Sequence, residues 1–556
     1  MSTASAVTES THDATKRRAH AEPPERVDVA IVGAGLGGLV AGAKLAARGK
    51  RVAIFESHYT AGGCATQFSR GPRKARYHFD VGLHYIGDCE RDGSIPRILR
   101  ELGIELEYNR LDPDGFDKLV FPDLEFAIPA NLERYRGRLL DHFPHEARGI
   151  DRYVALVDAV MRVGRTLELA DGRRPGVREL ASIALPALRL GPHQNATIGQ
   201  VLDSLIRDPR LKAVILGQSG DYGLPPSKVS ALLHMGLAGH YFRGAYYPKG
   251  GGQVIADRLV ERIEAAGGSV HLRAPVERIL VEGGRATGLR LAPRAGAPAR
   301  DVRAGVVISN ADLKRTLLEL VGPSHLPAEW ITKAEGYRMA AALFILFLGV
   351  EGDLRQYGMN NANVWQFDGY DVESFYRADT GSGPIAIRGS YITSASLKDP
   401  GYATHHAPEG VGNLEVMAVV PGALERWGVP ATSVDTWSYK HEALYKERKD
   451  EVEENLLARL HQLYPGTEGK VVFRESATPV SHRRYTGATD GTGYGLAATP
   501  AQFMKRRPGY RGPIGGLYFA GASTRAGHGI VGAMMSGRSA ALRVLADLER
   551  TERARV

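Results

Sequence analysis

Near its amino terminus the chain reads Val27-Asp28-Val29-Ala30-Ile31-Val32-Gly33-Ala34-Gly35-Leu36-Gly37-Gly38, an apolar strand followed by a glycine-rich turn. The turn has the pattern G-x-G-x-x-G. Gly33 lets the chain turn tightly, Gly35 lets the backbone approach a pyrophosphate, and Gly38 lets the next helix pack close to the sheet. The start of that helix offers free N–H groups to phosphate oxygens. We therefore expect this turn to hold the phosphates of a dinucleotide.

The residues that follow complete a strand–helix–strand unit. The helix ends at Gly49, and a second apolar strand, Arg51–Glu56, ends in an acid. The carboxylate of Glu56 can accept hydrogen bonds from ribose hydroxyls but would repel a 2′-phosphate, which favours FAD or NAD over NADP. The alternative is the same unit without a ligand, and the complete succession of strand, turn and acid makes that the weaker interpretation.

Length and composition narrow the class of protein. At 556 residues the chain exceeds what one hydrophobic core supports, so we expect two interleaved domains. Residues 1–26 are polar and lack an apolar segment, which predicts a disordered leader rather than a secretory signal. Cys64 and Cys89 are too few for a disulfide framework or a metal cluster. We therefore expect no metal and a reducing, cytoplasmic location.

The net charge of +9 fits either an anionic partner, such as a membrane surface, or an ordinary basic protein. Arg173, Arg174, Arg178 and Arg189 surround the apolar stretch Ile183–Leu188, which can form either a peripheral membrane contact or a solvated basic face. No basic tract is interleaved with aromatic residues, so we expect no nucleic acid partner.

The pattern of helices and strands predicts how the domains divide. Residues 92–245 show helical periodicity in Ile95–Leu102, Ile150–Leu169 and Ile198–Leu216. After them, a helix over Val254–Ala266 precedes short apolar strands, the first two being Ser269–Leu272 and Val276–Glu282. We therefore assign residues 27–91, 246–335 and 471–550 to a nucleotide-binding domain. Residues 92–245 and 336–470 are assigned to a substrate-binding domain with a helical insertion. In its second part we predict strands Ala342–Val350, Ile385–Thr393 and Asn413–Val420 and a helix Val434–Tyr464.

Four segments together resemble a known family. They are the opening motif, the doublet Gly62-Gly63, the segment Tyr247-Pro248-Lys249-Gly250-Gly251 and the closing Gly521…Gly529…Gly532-Ala533. They resemble the phytoene desaturase, carotenoid isomerase and retinol saturase superfamily of FAD enzymes, over almost the whole chain. The stretch 79–87 looks most like retinol saturase. The stretch 521–527 looks more like a bacterial carotenoid desaturase, although Ala526 stands where those enzymes usually carry proline.

The resemblance implies an α/β fold in which a Rossmann-like FAD-binding domain is interleaved with an α+β substrate domain. The FAD-binding domain would be of the glutathione-reductase type, in the architecture of amine oxidases and phytoene desaturases. The cofactor would be FAD rather than NAD. The residues implied in holding it are Gly33, Gly35, Gly38, Glu56, Gly62, Gly63, Val276, Gly521, Gly529 and Ala533.

The resemblance also implies chemistry at carbon–carbon double bonds of an apolar isoprenoid or polyene, by saturation, desaturation or cis–trans isomerisation. A flavin exchanges hydride with an allylic carbon, so the protein need only position the chain in an apolar tunnel and exclude water. The chain has no second G-x-G-x-x-G in strand–helix context. We therefore expect a diffusible electron donor or acceptor instead of a built-in nicotinamide domain.

Four residues are candidates for catalysis. His84 and Tyr85 would be polar groups near flavin or substrate, and a histidine can supply the second proton of a saturation. Arg525 and His528 lie in the closing segment, where a positive charge would favour an anionic reduced flavin. Each of these residues also has a structural alternative, as a hydrogen-bonded core histidine or a loop contact.

Two other functions stay open. A flavin amine oxidase would share the fold, but Cys64 stands after the doublet where that branch usually has a basic residue. A non-enzymatic prenyl-lipid carrier of the GDP-dissociation-inhibitor type would bind no FAD. The intact phosphate-binding motif and Glu56 count against the carrier.

Overall fold

The structure is a computed structural model that describes residues 22–72, 75–170, 175–294, 297–377 and 383–554. Most of the predicted leader, residues 1–21, lies outside these ranges. Residues 22–26 belong to the folded part, contrary to the prediction, because Glu22 pairs with Arg300 at 2.7 Å and Arg26 begins the first strand.

A seven-stranded sheet, called here the nucleotide sheet, carries the glycine-rich turn. Its order is Ser269–His271, Val52–Phe55, Arg26–Val32, Arg300–Ser309, Arg285–Leu291 and Val276–Glu282, with Leu517–Phe519 pairing the end of Arg300–Ser309. The last two strands of that order form an antiparallel hairpin, and the other five strands are parallel. Val29 and Ile31 enter the core on one face and Ala30 and Val32 the core on the other. The parallel strands are therefore apolar throughout, as expected for a sheet covered on both faces.

Three helices pack side by side next to this sheet, with Leu36–Ala46 in contact with both Gln253–Ala265 and Gly529–Arg553. A Cβ at Gly38 would lie 2.3 Å from the carbonyl oxygen of Gly33, and a Cβ at Gly537 would lie 2.0 Å from that of Gly37. Glycine is required at both contacts because the backbones touch. The glycine-rich turn is thus fixed between the nucleotide sheet and the last helix.

A second seven-stranded sheet has the order Val471–Ala477, Ala342–Glu351, Val411–Val420, Gly389–Thr393, Asn363–Phe367, Asp117–Phe121 and Leu124–Ile128. The helix Ala443–Leu463 packs on it through Val452, Leu456 and Leu460. The predicted helix Val434–Tyr464 therefore starts too early. Trp437 has φ +63°, outside the right-handed helical region, and this left-handed residue interrupts any helix that begins at Val434.

Strand pairing moves two predicted boundaries. The hairpin of Asp117–Phe121 and Leu124–Ile128 lies inside the predicted helical insertion but joins the second sheet. The strand Val471–Ala477 also pairs in the second sheet, with Ala342–Glu351, although the range 471–550 was assigned to the nucleotide-binding domain. The predicted strand Ile385–Thr393 begins only at Gly389.

The helix predicted over Ile198–Leu216 is two helices, Ile198–Leu205 and Pro209–Ile215. Asp208 caps the second helix by accepting hydrogen bonds from the N–H groups of Arg210 and Leu211, and Pro209 occupies its first position. A proline there starts a helix and cannot continue one, which explains the break.

The remaining longer helices are Ser94–Arg100, Leu132–His142, Ala147–Leu169, Val177–Leu190, Ala231–Tyr241, Ala328–Gly336 and Pro479–Thr486. Two small sheets complete the fold, made of Gln67–Arg70 with Tyr77–Asp80 and of Ile86–Gly87, Ala245–Pro248 and Tyr108–Arg110. In the described ranges, every helix is either too short or too polar to cross a bilayer.

Candidate functional site

One cavity of about 1650 Å³ extends between the two large sheets. Its lining includes the glycine-rich turn at one end and parts of Ala147–Leu169 and Ala231–Tyr241 at the other. A typical small-molecule pocket has roughly 300–1,000 Å³. The cavity is therefore large enough for a cofactor and a second ligand at the same time.

The glycine-rich turn forms an anion site at one wall of this cavity. Gly35 precedes the helix Leu36–Ala46, which has neither a side-chain cap nor an acidic residue in its first turn. Gly35, Leu36 and Gly37 line the cavity, and Gly35 forms a backbone bridge with Gly62. The uncapped N–H groups and the positive end of the helix dipole thus lie beside the cavity, as phosphate binding requires.

A second uncapped helix begins at the same cavity. Gly529–Arg553 has no side-chain cap and no acid in its first turn, and Gly529, Gly532 and Ala533 line the cavity. The strand before it leads to Gly521, whose N–H donates a 2.6 Å hydrogen bond to Ser536 Oγ. Two helix starts therefore face one space, which suits a ligand with a diphosphate and a further polar chain.

Glu56 is buried at the end of its strand and lines the cavity. Its Oε2 accepts the Ala34 N–H at 2.7 Å and its Oε1 accepts the His58 N–H at 2.8 Å. Burial raises the pKa of this carboxyl. Oε1 also accepts the Ser57 hydroxyl at 3.2 Å. A carboxylate oxygen can accept two hydrogen bonds, so Oε2 retains capacity for a ribose hydroxyl.

Asn310 is a feature of the cradle that the sequence reasoning missed. Its Oδ1 is buried without a hydrogen-bond partner, and the same atom would lie 2.5 Å from a Cβ at Gly37 and 3.0 Å from one at Gly521. Asn310 follows the parallel strand Arg300–Ser309, and that position at a carboxyl edge is the signal that could have found it. This oxygen accepts hydrogen bonds, so a ligand hydroxyl between the two glycine segments would satisfy it. A dinucleotide carries such hydroxyls on its sugar and polyol chain, and the residues present therefore fit one.

The structure brings nearly all the predicted cofactor residues together. Those that line the one cavity are Gly33, Gly35, Glu56, Gly62, Gly63, Val276, Gly521, Gly529 and Ala533. Gly38 lies behind the turn, outside the lining, where it packs against Gly33 and Ile31. Its contribution is to the shape of the turn.

His84 and Tyr85 also line the cavity. His84 Nδ1 lies 2.8 Å from Oε2 of the buried Glu415, within ion-pair distance. The Tyr85 hydroxyl lies 2.6 Å from Asp221 Oδ2 and 3.0 Å from Asp117 Oδ2. The two aspartates were not predicted, because they belong to separate segments without a local motif.

The closing segment differs from the prediction. Arg525 is exposed and is not part of the cavity lining, so the structure does not bring it together with His84 and Tyr85. His528 does line the cavity, but burial lowers its pKa to about 3 and the ring is neutral at neutral pH. Neither residue places a positive charge in the cavity wall.

Arg507, which the sequence reasoning missed, holds this segment in place. Its buried guanidinium donates to the carbonyl oxygens of Gln502 at 2.9 Å, Ala522 at 2.7 Å and Leu496 at 2.5 Å. Burial lowers its pKa to about 10, so the side chain stays charged at neutral pH. Three carbonyl partners satisfy the buried cation and fix the loop that leads into the last helix.

Comparison with known proteins agrees with this geometry. The family model described as "Flavin containing amine oxidoreductase" matches residues 36–545. All-trans-retinol 13,14-reductase of Rattus norvegicus is 29% identical over 497 residues, which cover 85% of this chain and 78% of the relative. Prolycopene isomerase of Daucus carota is 26% identical over 541 residues, covering 94% of this chain and 80% of the relative.

The fold has a match among solved structures. An oxidoreductase from Methanosarcina mazei superimposes with a TM-score of 0.59 at 18% identity. The match covers 92% of this chain and 99% of the other. The family match begins at residue 36, within the glycine-rich turn, and ends at residue 545, in the last helix. It therefore includes the starts of both helices that begin at the cavity. The chain belongs to the flavin containing amine oxidoreductase family, and FAD is its cofactor.

Proposed function

We propose that the protein is an FAD-dependent oxidoreductase that saturates, desaturates or isomerises a carbon–carbon double bond in an apolar isoprenoid or polyene lipid, such as a carotenoid or retinoid. The observation that carries the proposal is the single cavity that joins a dinucleotide cradle to a largely apolar chamber. The relatives support this choice, since one is named for reduction of all-trans-retinol and another for isomerisation of prolycopene.

The chamber suits a long apolar chain. Its walls include Leu232, Leu233 and Leu237 from one helix, Met161 from another and Phe347 from the second sheet. Apolar surface gains roughly 25 cal/mol for each Å² removed from water, so such walls can bind a hydrocarbon without charged contacts. They also exclude water from the reacting bond.

The residues of the cradle and of the chamber have separate tasks in this proposal. The starts of Leu36–Ala46 and Gly529–Arg553 would hold the phosphates and polar chain of FAD, and Glu56 would hold its ribose. Bound FAD supplies hydride exchange with carbon. His84, whose Nδ1 lies beside Glu415, offers a ring at the cavity wall of the type that serves in proton transfer. Electrons come from or go to a diffusible partner.

The proposal includes contact with a lipid bilayer that bears anionic headgroups. The helix Val177–Leu190 exposes 85% of Val177, 65% of Leu185 and 75% of Leu188, with Leu180 half exposed. Ser182 and Ile183 of the same helix line the cavity. An apolar face of this kind enters the headgroup region while the flanking Arg178 and Arg189 pair with phosphates. Arg173 and Arg174 of the predicted basic face lie outside the described residues. A lipid-dissolved substrate would then enter beside this helix.

An anaerobic experiment tests the proposed reaction. The purified protein is photoreduced and mixed with a panel of polyenes while the flavin spectrum is followed. Reoxidation by a polyene supports saturation. Bleaching of the oxidised protein by a more saturated lipid supports desaturation, and cis–trans change without net electron transfer supports isomerisation.

Two outcomes would overturn the proposal. Turnover with primary amines but with no polyene would favour the amine oxidase alternative. A colourless protein that releases no flavin on denaturation would favour the lipid carrier.

A further inference from the structure

The hydroxyl of Tyr85 lies between two buried carboxyl groups, at 2.6 Å from Asp221 Oδ2 and 3.0 Å from Asp117 Oδ2. A tyrosine hydroxyl has one proton to donate and can accept in addition. It cannot donate to both carboxylates at once. The arrangement is fully hydrogen-bonded when one of the two acids carries a proton and donates it to the Tyr85 oxygen.

The other hydrogen bonds decide which acid that is. Asp117 accepts from Asn363 Nδ2 at 2.7 Å, Gln218 Nε2 at 2.7 Å and Trp365 Nε1 at 3.2 Å. Among the described residues, Tyr85 alone gives the Asp221 side chain a hydrogen bond. Donated hydrogen bonds stabilise a carboxylate. Asp117 is therefore the ionised member of the pair, and Asp221 is the protonated one.

The charges nearby agree with this assignment. Burial raises the pKa of both acids, and it raises the pKa of Asp221 well above its ordinary range because Asp117 adds a like charge and only Tyr85 opposes the shift. The buried cation of this region is Lys398, whose Nζ donates to the His84 carbonyl at 2.7 Å. Burial lowers the pKa of Lys398 to about 8, so it remains charged at neutral pH and stabilises Asp117.

Asp221 also has the right place in the cavity. It lines the cavity wall, whereas Asp117 is fully buried behind it. The preceding Gly220 accepts a 2.5 Å hydrogen bond from the Tyr494 hydroxyl, and the Tyr494 ring lies 5.9 Å from the ring of His528, edge to face. One tyrosine therefore separates Asp221 from the segment that opens the last helix.

We propose that Asp221 is the catalytic acid of the double-bond chemistry. Tyr85 and Asp117 are positioning residues, because the hydrogen-bond chain that they form with Asp221 holds its carboxyl group in place and keeps it protonated. The inference rests on the proposed function and names the proton source of that site. In the direction of saturation, Asp221 supplies H⁺ to one carbon of the double bond, and a bound reduced FAD would supply the hydride to the other. The C=C bond becomes CH–CH as Asp221 gives up the proton that it had donated to the Tyr85 oxygen. The Tyr85 hydroxyl then turns its one proton from Asp117 to the Asp221 carboxylate, until water returns a proton to Asp221.

Infrared spectroscopy of the purified holoprotein at neutral pH tests the protonation directly. The difference between wild type and Asp221→Asn should contain the C=O stretch of a protonated carboxylic acid. Asp203→Asn, which replaces an exposed aspartate of the helix Ile198–Leu205, should leave that band unchanged. A difference spectrum that lacks the band shows an ionised Asp221 and overturns the inference.

Stopped-flow kinetics tests the chemical role. Asp221→Asn should bind flavin and polyene as wild type does but slow reoxidation of the photoreduced flavin by a factor on the order of 10²–10⁴. Asp221→Glu should recover part of the rate. Equal rates in wild type and Asp221→Asn overturn this inference and leave the proposed function standing. A wild-type protein that reacts with no polyene overturns the proposed function, and the role of Asp221 in it.

Discussion

Gly537 is the residue at which the last helix touches the glycine-rich turn. Any side chain there would meet the carbonyl oxygen of Gly37, because a Cβ would lie 2.0 Å away. A larger residue at position 537 would therefore displace the helix Gly529–Arg553, whose start borders the cofactor cradle. Stability and the shape of the cofactor cradle are therefore coupled at this position, because Gly37 lines the cavity.

Gly537→Ala should lower the free energy of unfolding by about 1–3 kcal/mol, because the added methyl group overpacks a backbone crossing. Gly137→Ala is the matched control in the helix Leu132–His142, where a Cβ would meet nothing within 4 Å. That change should be neutral or stabilise by up to about 1 kcal/mol. Urea denaturation of both variants measures the difference, and equal effects would show that the crossing tolerates a side chain.

His234 gives the protein a pH-dependent stability. The buried ring lies 3.1 Å from the hydroxyls of both Tyr153 and Tyr222, and burial lowers its pKa to about 4. An unfolded histidine has a pKa of about 6.5, so the unfolded chain takes up the proton first as the pH falls. The contribution of His234 to folding is complete above about pH 6.5 and is lost as the pH falls toward 4.

Urea denaturation between pH 7 and pH 4 measures this effect. The range includes the folded pKa of His234, about 4, and the unfolded value of about 6.5. His234→Gln should be less stable at neutral pH and should show a shallower decline of unfolding free energy with acid than wild type does. His325→Gln, at an exposed position, should keep the wild-type decline. A decline that His234→Gln leaves unchanged would contradict the assignment of a neutral buried ring.

Sequence reasoning found the glycines and Glu56 because their function depends on local spacing within one strand–turn–helix unit. It could not find Asn310, Arg507 or Asp221 in the same way. Each of these acts through partners from distant segments, as when Arg507 binds three carbonyl groups of two loops. Arg525 shows the opposite failure, since its position in a suggestive motif did not place its side chain in the cavity.

At the scale of elements, apolar runs were reliable guides and short polar strands were not. Ala342–Glu351 was predicted almost to the residue because it is a continuous buried run. Asp117–Phe121 was missed because Asp117 and Lys118 interrupt its pattern, and its burial follows from pairing with Asn363–Phe367 far along the chain. Tertiary contacts, which a local pattern does not contain, determine such strands.

The helix Val177–Leu190 allows a test of the proposed bilayer contact. The double variant Leu185→Glu, Leu188→Glu should reduce co-sedimentation with phosphatidylcholine–phosphatidylglycerol vesicles by at least about tenfold, because two leucines no longer enter the bilayer. Its unfolding free energy should change little, since both side chains are exposed.

A matched control comes from the second sheet. Val472→Glu replaces another exposed apolar residue, on the strand Val471–Ala477, and should leave vesicle binding unchanged. Equal binding by the wild type and the helix variant would remove this helix as the contact. Equal losses in both variants would indicate a general effect of added negative charge.

At the scale of the whole molecule, the two sheets are interleaved along the chain and meet at one cavity. The family resemblance predicted this interleaving, and the periodicity of the sequence predicted most parallel strands of the nucleotide sheet. The sheet assignment of 117–128 and 471–477 could not be predicted, because each segment pairs with a strand more than a hundred residues away along the chain, a contact that a local pattern does not contain.

FAD should stabilise the whole molecule, because the residues that would hold it in the cradle come from both ends of the chain. At a free concentration about 100 times its Kd, a ligand adds about 2.7 kcal/mol to the free energy of unfolding. Thermal unfolding of flavin-stripped protein should therefore shift upward when FAD is added. NADP should produce no shift, because its 2′-phosphate would meet the carboxylate of Glu56. A shift with NADP as large as with FAD would contradict the role of Glu56.

The crossing of Gly37 and Gly537 also has a consequence for biosynthesis. The ribosome makes these two residues hundreds of codons apart, and the strand Leu517–Phe519 and the helix Gly529–Arg553 emerge long after the opening motif. A nascent chain that lacks them has the glycine-rich turn but not its second wall. Flavin insertion must therefore wait until the carboxyl-terminal helix has emerged and docked, and chains arrested before that point should accumulate without their yellow cofactor.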